Sequence, residues 1–226
     1  MTSGSGTPVV TIDGPAASGK SSVSREVSKR LGWSWVSTGA FYRALAYLAQ
    51  RTQTPLDDEI ALSELAKSPD WSVKLTPEHT EVWFQGSDVT AFLHAEEVGV
   101  AASQVSRHPL VRAQLLQAQR DCVNGVPGLI AEGRDCGTVV FPQADVKIYL
   151  TARSESRAQR RVTELGGDLG ATKAAQQLRD TQDRLRKAAP LKAPENSHVI
   201  DTSEMNLMQV VDVVTQLVIS KFPSLK

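Results

Sequence analysis

The chain contains 226 residues, 41% of them hydrophobic and 22% charged, which suits one sizeable domain with an insertion, or one domain and a small satellite. Its 25 basic and 25 acidic residues cancel, so no overall field attracts it to nucleic acid or to an anionic membrane, and we expect neither partner. Segment 1–7 is unlike a secretory signal, and no apolar run approaches the roughly 20 residues of a membrane span, so we expect a cytoplasmic location.

The charge is unevenly distributed along the chain. Residues 57–97 contain ten acids and two bases, whereas residues 153–192 contain ten bases and five acids. A local basic cluster in a chain of zero net charge suits a small anionic ligand better than a polymer. Cys122 and Cys136 are too few for a disulfide framework or a cysteine metal site, and we expect reduced thiols.

The first predicted elements are two strands that each lead into a helix. Apolar residues 9–12 predict a buried strand, and a helix is expected from residue 20 to residue 31, with Gly32 at its end. Residues 33–36 predict a second strand, and residues 40–51 carry apolar side chains at helical spacing. Repeated strand–helix units are typical of a parallel sheet covered by helices.

The pattern then changes to a short antiparallel excursion. Residues 71–75 and 81–85 alternate between apolar and polar side chains, which predicts two paired strands in an acidic inserted subdomain. The next predicted elements are helices at 96–106 and 109–122 and strands at 128–131 and 146–150. Helices are then predicted at 154–165 and 172–187, on either side of a glycine-rich break at 166–170. The last predicted elements are a strand at 198–200 and a C-terminal helix whose apolar face belongs to the core.

Residues 14–21 match the phosphate-binding pattern G-x-x-x-x-G-K-S/T at every fixed position, between a predicted strand and a predicted helix. The glycines allow backbone N–H groups to point at phosphate oxygens, and the helix N-terminus adds partial positive charge. Lys20 is placed to reach the β- and γ-phosphates of ATP, and the Ser21 hydroxyl to bind Mg²⁺ directly or through water. The predicted ATP-binding residues of this turn are Gly14, Pro15, Ala16, Ala17, Ser18, Gly19, Lys20, Ser21 and Ser22.

Three arginines predict a second anion site, for an acceptor that itself carries a phosphate. Arg43 and Arg134 each follow a predicted strand, and Arg186 lies late in the helical segment 172–187. The planar guanidinium group can bind phosphate through two parallel hydrogen bonds, and ligands of parallel sheets gather beyond the strand ends. The spacing of Arg179, Asp183 and Arg186 predicts that they share one helix face. That face either binds the acceptor or is a solvated face with short-range ion pairs.

The helix at 154–165 is rich in arginine and precedes the glycine-rich break. Arg153, just before this helix, and Arg157, Arg160 and Arg161 within it are spaced to stack along it. This pattern predicts a mobile basic lid that closes over the triphosphate and excludes water, with Arg157 and Arg160 binding ATP. The alternative is a solvated basic helix.

Several segments together resemble bacterial cytidylate kinases, a family of P-loop nucleoside monophosphate kinases. They are 12–15 with 19–21, 38–43, 101–106, the highly specific run 133–142, and 179–186 with Pro190-Leu191. The resemblance covers residues 8 to about 215 and implies an α/β fold with a five-stranded parallel core flanked by helices. It implies a core domain at 8–38, 98–152 and 188–226, an enlarged NMP-binding domain at 39–97 with an antiparallel insertion near 70–90, and a lid at 153–187.

The resemblance also implies a reaction, transfer of a phosphoryl group from ATP, with Mg²⁺, to CMP or dCMP, and roles for individual residues. The implied catalytic residues are Lys20, Arg134 and Arg186. The implied substrate-binding residues are Arg43, Arg134 and Arg186 for the CMP phosphate, Arg179 and Asp183 for the sugar, Ser103, Arg112 and Asp135 for the base, and Thr38. A monomer is expected, because no apolar helix face is in surplus.

The base-reading set also makes chemical sense by itself. Cytosine presents an N4 amino donor beside the N3 and O2 acceptors, which a carboxylate at Asp135 and donors at Arg112 and Ser103 complement. Uracil presents O4 in place of the amino group, so its lone pairs would face the carboxylate. Sites built on buried hydrogen bonds reject such mismatches by about 10⁴-fold or more.

From the sequence alone, other acceptors remain possible, and some positions depart from the family's usual residues. The rival reactions use UMP, dTMP, AMP or shikimate as acceptor, and a non-enzymatic P-loop switch is disfavoured because the chain lacks an Asn-Lys-x-Asp guanine motif. Thr181 and Gln182 replace an acid and a base that the family often has, and Ser37 stands where Asp is common. Cys136 replaces an apolar residue beside Asp135, which suggests that a bulky thiol adduct there would block CMP.

Overall fold

The computed structural model describes residues 6–186 and 188–225. Expectations that fall on residues 1–5, on Lys187 at the end of the expected lid and on Lys226 at the end of the expected core lie outside the described residues.

The described residues form eight strands and eight α-helices. The strands are β1 (Val9–Asp13), β2 (Ser34–Ser37), β3 (Trp71–Leu75), β4 (Thr80–Phe84), β5 (Ser87–Asp88), β6 (Leu129–Gly133), β7 (Val146–Thr151) and β8 (His198–Asp201). The α-helices are α1 (Lys20–Leu31), α2 (Thr38–Arg51), α3 (Glu59–Ala66), α4 (Glu96–Val105), α5 (Pro109–Asp121), α6 (Ser154–Leu165), α7 (Leu169–Leu185) and α8 (Leu207–Lys221).

The central sheet contains five parallel strands in the order β2-β6-β1-β7-β8, which confirms the predicted parallel core. Asp13 at the end of β1 pairs with Gly133 of β6, and Ser37 at the end of β2 pairs with Glu132. The carboxyl ends of these three strands therefore meet at one edge of the sheet. In such sheets this edge is where ligands bind.

Two apolar cores cover the two faces of the sheet. One contains Val10 and Ile12 of β1 together with α1 and α8, and the other contains Val9 of β1 together with α2 and α5. Alternate residues of β1 serve opposite faces, as the two-residue period of a strand requires. The C-terminal helix contributes Val211 and Val214 to the first core, as predicted.

The inserted region is larger than the sequence indicated. The pairing of β3 with β4 confirms the predicted hairpin, but β5 adds a third strand and α3 adds a helix that the prediction missed. The missed helix α3 carries a recognisable signal, since the Asp58 carboxylate accepts a hydrogen bond from the Ala61 N–H at 2.9 Å. The strand β5 has only two exposed polar residues and gives no such signal.

The helices near the glycine-rich break differ from prediction at their ends. Helix α7 begins at Leu169 because the Asp168 side chain accepts a hydrogen bond from the Ala171 N–H at 2.7 Å. Helix α7 ends at Leu185, so Arg186 lies just beyond it. Within the described ranges, no helix is both long and apolar enough to cross a membrane.

Candidate active site

A cleft of about 280 Å³ opens at the carboxyl edge of the central sheet, where the β1–α1 turn, α2, α4 and α7 converge. Many of the side chains that the sequence singled out line it. The predicted site residues that line this cleft are Ala16, Ala17, Lys20, Ser21, Thr38, Arg43, Ser103, Arg112, Arg134, Asp135, Arg179, Asp183 and Arg186. The predicted site residues that do not line it are Gly14, Pro15, Ser18, Gly19, Ser22, Arg157 and Arg160.

The β1–α1 turn has the backbone that a phosphate-binding loop requires. Gly14 has a φ of 151°, and a Cβ atom there would lie 2.0 Å from the Leu150 carbonyl oxygen, so only glycine fits. Gly19 has a φ of 92° and directly precedes the first residue of α1. Ala17 also lies in the left-handed region, with a φ of 55°, although it carries a side chain.

Lys20 lies buried at the start of α1, beneath this turn. Its Nζ donates a hydrogen bond to the Pro15 carbonyl oxygen at 2.7 Å. Burial, reinforced by the nearby Arg134 guanidinium, lowers the pKa of Lys20 to about 7. An anion bound in the turn would offset both causes, so the ammonium group is placed to gain more from a phosphate than a solvated lysine would.

Ser21 and Glu132 place two oxygen donors side by side at the mouth of the turn. The Ser21 hydroxyl donates to Glu132 Oε1 at 2.9 Å. Hydroxyl and carboxylate oxygens are ligands that Mg²⁺ accepts, usually together with phosphate oxygens and water, so this pair fits the ion. Among the described residues no group of three or more His, Cys, Asp or Glu could hold a metal, so the pair would share the ion with the nucleotide.

The three acceptor-site arginines reach the cleft from three different elements. The Arg43 Nη1 donates to the Leu93 carbonyl oxygen at 2.6 Å, and Arg134 Nε donates to Asp183 at 2.7 Å. Arg186 donates to the other oxygen of Asp183 at 2.6 Å, so one carboxylate bridges two guanidinium groups.

Two of these guanidinium groups, those of Arg43 and Arg186, are short of compensating negative charge, whereas the carboxylates near Arg134, Asp183 foremost, outweigh burial and raise its pKa. Burial, with Arg161 and Arg179 nearby, lowers the pKa of Arg43, and burial also lowers the pKa of Arg186. The buried Arg186 Nε has no hydrogen-bond partner within residues 6–186 and 188–225. Crowded, partly unsatisfied cations of this kind favour binding of an anion such as a phosphate.

The side chains of Arg179 and Asp183 on α7, and of Arg186 just beyond it, line the cleft and are at most 22% exposed, although Asp183 and Arg186 also form the short-range ion pair that the solvated alternative predicted. Asp183 contacts Arg134 and Arg186, as described above. Arg179 forms an ion pair with Glu96 at the start of α4. Its partner therefore comes from another element and not from a neighbouring turn of α7, which is the pairing that the solvated alternative requires.

The base-reading candidates Ser103, Arg112 and Asp135 all line the cleft. Arg112 and Asp135 form an ion pair in which both side chains are about nine-tenths buried. The Arg112 guanidinium also lies 5.4 Å from the centre of the Tyr42 ring. Ser103 is near, and its hydroxyl donates to the Gly99 carbonyl oxygen at 3.1 Å, so it must rotate before it can donate to a ligand.

Comparison with known proteins agrees with this geometry. A family model described as cytidylate kinase matches residues 10–220. The chain belongs to the cytidylate kinase family. It is 58% identical over 213 residues to the cytidylate kinase of Bdellovibrio bacteriovorus, covering 94% of this chain and 98% of that protein. It is 43% identical over 212 residues to the cytidylate kinase of Aeromonas salmonicida, covering 92% of each.

Solved structures share the fold of this cytidylate kinase family member at low sequence identity. A Thermus thermophilus protein of known crystal structure superimposes with a TM-score of 0.51 at 15% identity, covering 96% of this chain and 98% of that chain. A Eubacterium ventriosum protein gives a TM-score of 0.52 at 10% identity, covering 95% and 99%. At these identities the likeness concerns the fold alone.

In this family member, two of the predicted lid arginines do not line the cleft, although Arg160 Nη1 lies 4.0 Å from where a Cβ of Gly19 would be. Arg160 donates to the Thr202 hydroxyl at 2.9 Å and also to its carbonyl oxygen, and Arg157 is buried against Asp180. Arg161, by contrast, lines the cleft and donates to Glu96 at 3.1 Å. The arginine spacing predicted the basic helix correctly, and the contact of Arg157 and Arg160 with ATP stays a prediction.

Cys136 is fully buried, and its Sγ lies 3.4 Å from the Thr38 hydroxyl oxygen. Burial, with the nearby Asp13 and Asp135, raises the pKa of its thiol well above the usual value. The thiol is therefore a slow nucleophile, and any adduct must wait for local opening. The idea that a bulky adduct here blocks CMP stays a hypothesis.

Sequence reasoning missed several residues that shape this site. Asp13 accepts hydrogen bonds from the N–H groups of Cys136 at 2.8 Å and Gly137 at 2.7 Å, which holds the segment that follows Arg134 and Asp135. Burial raises the pKa of Asp13 to about 6. Glu132 could have been found from its position, since it is an acid at the end of the strand next to the phosphate-binding turn.

Proposed function

We propose that this chain transfers the γ-phosphoryl group of ATP to the phosphate of CMP or dCMP, giving ADP and the corresponding diphosphate. The observation that carries the proposal is the buried Arg112–Asp135 pair, which shares one cleft with Lys20 and the acceptor arginines. That pair offers an acceptor and donors side by side, which complements the pairing edge of cytosine. Membership in the cytidylate kinase family supports the same assignment.

The acceptor nucleotide would lie across the cleft from the phosphate-binding turn. Arg43, Arg134 and Arg186 would hold its phosphate, because all three line the cleft and Arg134 and Arg186 share the carboxylate of Asp183, which leaves this cluster with more positive than negative charge. Arg179 and Asp183 would face the sugar, and Thr38 and Ser103 would contribute hydroxyl groups. Bound substrate would replace the present contacts of Asp183 and Ser103.

ATP would bind in the turn formed by residues 14–22. Lys20 would follow the migrating phosphoryl group, and Arg134 and Arg186 would neutralise charge on the acceptor side. Ser21 and Glu132 would hold Mg²⁺, which supplies charge neutralisation at the β- and γ-phosphates. A phosphate oxygen needs little help from a general base, so catalysis consists of positioning and charge neutralisation.

In this proposal, each of the domains implied by the resemblance binds a different part of the substrates. Residues 8–38, 98–152 and 188–226 would form the ATP-binding core, residues 39–97 the NMP-binding domain and residues 153–187 the lid. We further propose a cytoplasmic monomer that acts on free nucleotides. The balanced charge, 25 basic against 25 acidic residues, supports this view because it gives no field for a polyanion.

Replacement of Asp135 tests the cytosine assignment. In the Asp135→Asn variant an amide takes the place of the carboxylate, so it can donate to O4 of uracil as well as accept from N4 of cytosine. We expect kcat/KM for CMP to fall about 100-fold while kcat/KM for UMP falls less or rises, so that the CMP/UMP ratio drops by about 10²-fold or more.

The control for this variant is Asp121→Asn, which alters an exposed carboxylate of α5 that accepts a hydrogen bond from Gln117. It should leave the CMP/UMP ratio within about twofold of the unmodified protein. An Asp135→Asn protein that is folded and keeps the original ratio would contradict the assignment.

A further inference from the structure

A buried ion pair binds both backbone polar groups of one residue in the phosphate-binding turn. The Ala16 N–H donates to Asp180 Oδ1 at 3.3 Å, and Arg157 Nη1 donates to the Ala16 carbonyl oxygen at 2.9 Å. The two side chains also pair with each other at 2.7 Å, and each is more than nine-tenths buried. Ala16 is therefore held at both polar groups by one pair of opposite charges.

This ion pair joins both predicted lid helices to the turn. Arg157 lies on α6 and Asp180 on α7. Arg157 also donates through Nε to the Ala152 carbonyl oxygen at 3.2 Å, just after β7. The buried Gln176 of α7 donates to the Arg157 carbonyl oxygen at 3.3 Å, so the arginine is fixed by its main chain as well.

The residue after Ala16 has a backbone conformation that needs support. Ala17 has a φ of 55°, which side-chain-bearing residues seldom adopt because it is strained. Such conformations persist when the surrounding structure determines them from several sides. The two hydrogen bonds at Ala16 fix the peptide groups that lead into this conformation.

The arrangement also explains why Arg157 is a poor candidate for contact with ATP. Its guanidinium group already contacts Asp180, Ala152 and Ala16, and it does not line the cleft. The charges of the pair cancel, so it adds no net attraction for a triphosphate. The pair contacts both peptide groups of Ala16 and links them to α6 and α7.

We propose that Arg157 and Asp180 are positioning residues that hold the phosphate-binding turn in its ligand-binding conformation through Ala16 and transmit its state to the two lid helices. This inference rests on the proposed function of the turn in binding ATP, but not on the identity of the acceptor. It replaces the expectation that Arg157 touches ATP.

The test is ATP binding by the Asp180→Asn variant, measured by titration calorimetry without CMP and well below the thermal midpoint. Asparagine keeps an oxygen for the Ala16 N–H but no longer neutralises Arg157. We expect the Kd for ATP to rise by roughly tenfold or more and kcat to fall by about 100-fold, because small displacements of site groups are costly. The KM for CMP should stay within about twofold, which a general loss of structure would not predict.

The matched control is Glu155→Gln, which breaks the exposed ion pair of Glu155 with Lys173 that also joins α6 to α7. It should leave ATP binding within about twofold of the unmodified protein. Should Asp180→Asn fail to fold, the double variant Arg157→Gln with Asp180→Asn is measured in its place. Removing both charges leaves no unpaired buried ion, so stability is expected to recover while ATP binding stays weak.

ATP affinity within twofold of the unmodified protein in a folded variant that lacks the pair would overturn the proposal. An equal loss in Glu155→Gln would do the same, because helix contact alone would then be responsible. If the unmodified protein bound ATP but did not phosphorylate CMP, the proposed acceptor would be wrong, while the inference about the turn would still stand.

Discussion

Replacing Lys20 with alanine is expected to lower kcat by about 10³-fold or more, on the scale of losses seen when a cation at the transferring phosphoryl group is removed. Lys20 lies at the start of α1 beneath the phosphate-binding turn, where its ammonium group has the Pro15 carbonyl oxygen as a hydrogen-bond acceptor. A coupled assay of ADP release with saturating CMP and ATP measures the effect. The matched control is Lys29→Ala at the other end of the same helix, which should change kcat by less than about twofold.

The lowered pKa of Lys20 gives this prediction a second readout. Without a ligand its pKa is about 7, so at pH 8 the amine is mostly neutral. A bound triphosphate raises that pKa again, so binding at pH 8 should take up about one proton per ATP. Calorimetry in buffers of different ionisation enthalpy measures the uptake, which should disappear in Lys20→Ala. A kcat loss below tenfold, or an equal uptake in the variant, would contradict the role.

The same pKa shift has a consequence for stability. The unfolded chain keeps an ordinary lysine pKa near 10.5, so between about pH 7 and pH 10.5 the unfolded state binds more protons than the folded one. The contribution of Lys20 to the free energy of unfolding therefore rises with pH in this window. At lower pH the folded protein must bury a charged lysine, which lowers its stability but keeps a cation at the phosphate-binding turn.

Replacing Arg186 with alanine is the other change of largest expected effect. We expect kcat to fall by about 10³-fold, because Arg186 lies in the acceptor cleft with an Nε that no described residue satisfies. Arg186→Lys should recover only part of the loss, since an ammonium group cannot bind phosphate through two parallel bonds. Arg134 keeps its own bond to Asp183 in either variant, so folding should be preserved.

The control for Arg186 is its exposed neighbour Arg184, which does not line the cleft. Arg184→Ala removes the same charge from the same segment and should change kcat by less than about threefold. If the two alanine variants lost equal activity, the effect would come from overall charge, and the proposed contact with the acceptor phosphate would be wrong.

The parts of the site that sequence predicted well are those whose geometry is local. The strand, the turn and α1 lie within residues 9–31, and every prediction for them concerns neighbours along the chain. The bounds of α1 were predicted to the residue, and Gly32 ends it in the left-handed conformation. Short apolar runs likewise predicted the five parallel strands, of which β1 and β6 are buried throughout whereas β8 is mostly exposed.

What the sequence could not predict depends on contacts between distant segments. Ser21 meets Glu132 across 111 residues, and Ala16 meets Asp180 across 164. Spacing places the arginines of α6 on one helix but cannot tell which of them meets a buried partner, as Arg157 meets Asp180. Identical residue types on the same helix have different neighbours, and only the packed structure distinguishes them.

The most direct measurement of the central claim is ADP release by the unmodified protein with saturating ATP and Mg²⁺ across CMP, dCMP, UMP, dTMP, AMP and shikimate. The cleft that joins the phosphate-binding turn to the Arg112–Asp135 pair predicts that CMP and dCMP give the highest kcat/KM, with UMP lower by at least about tenfold. A protein that turned over UMP, AMP or shikimate faster than both cytosine nucleotides would contradict it.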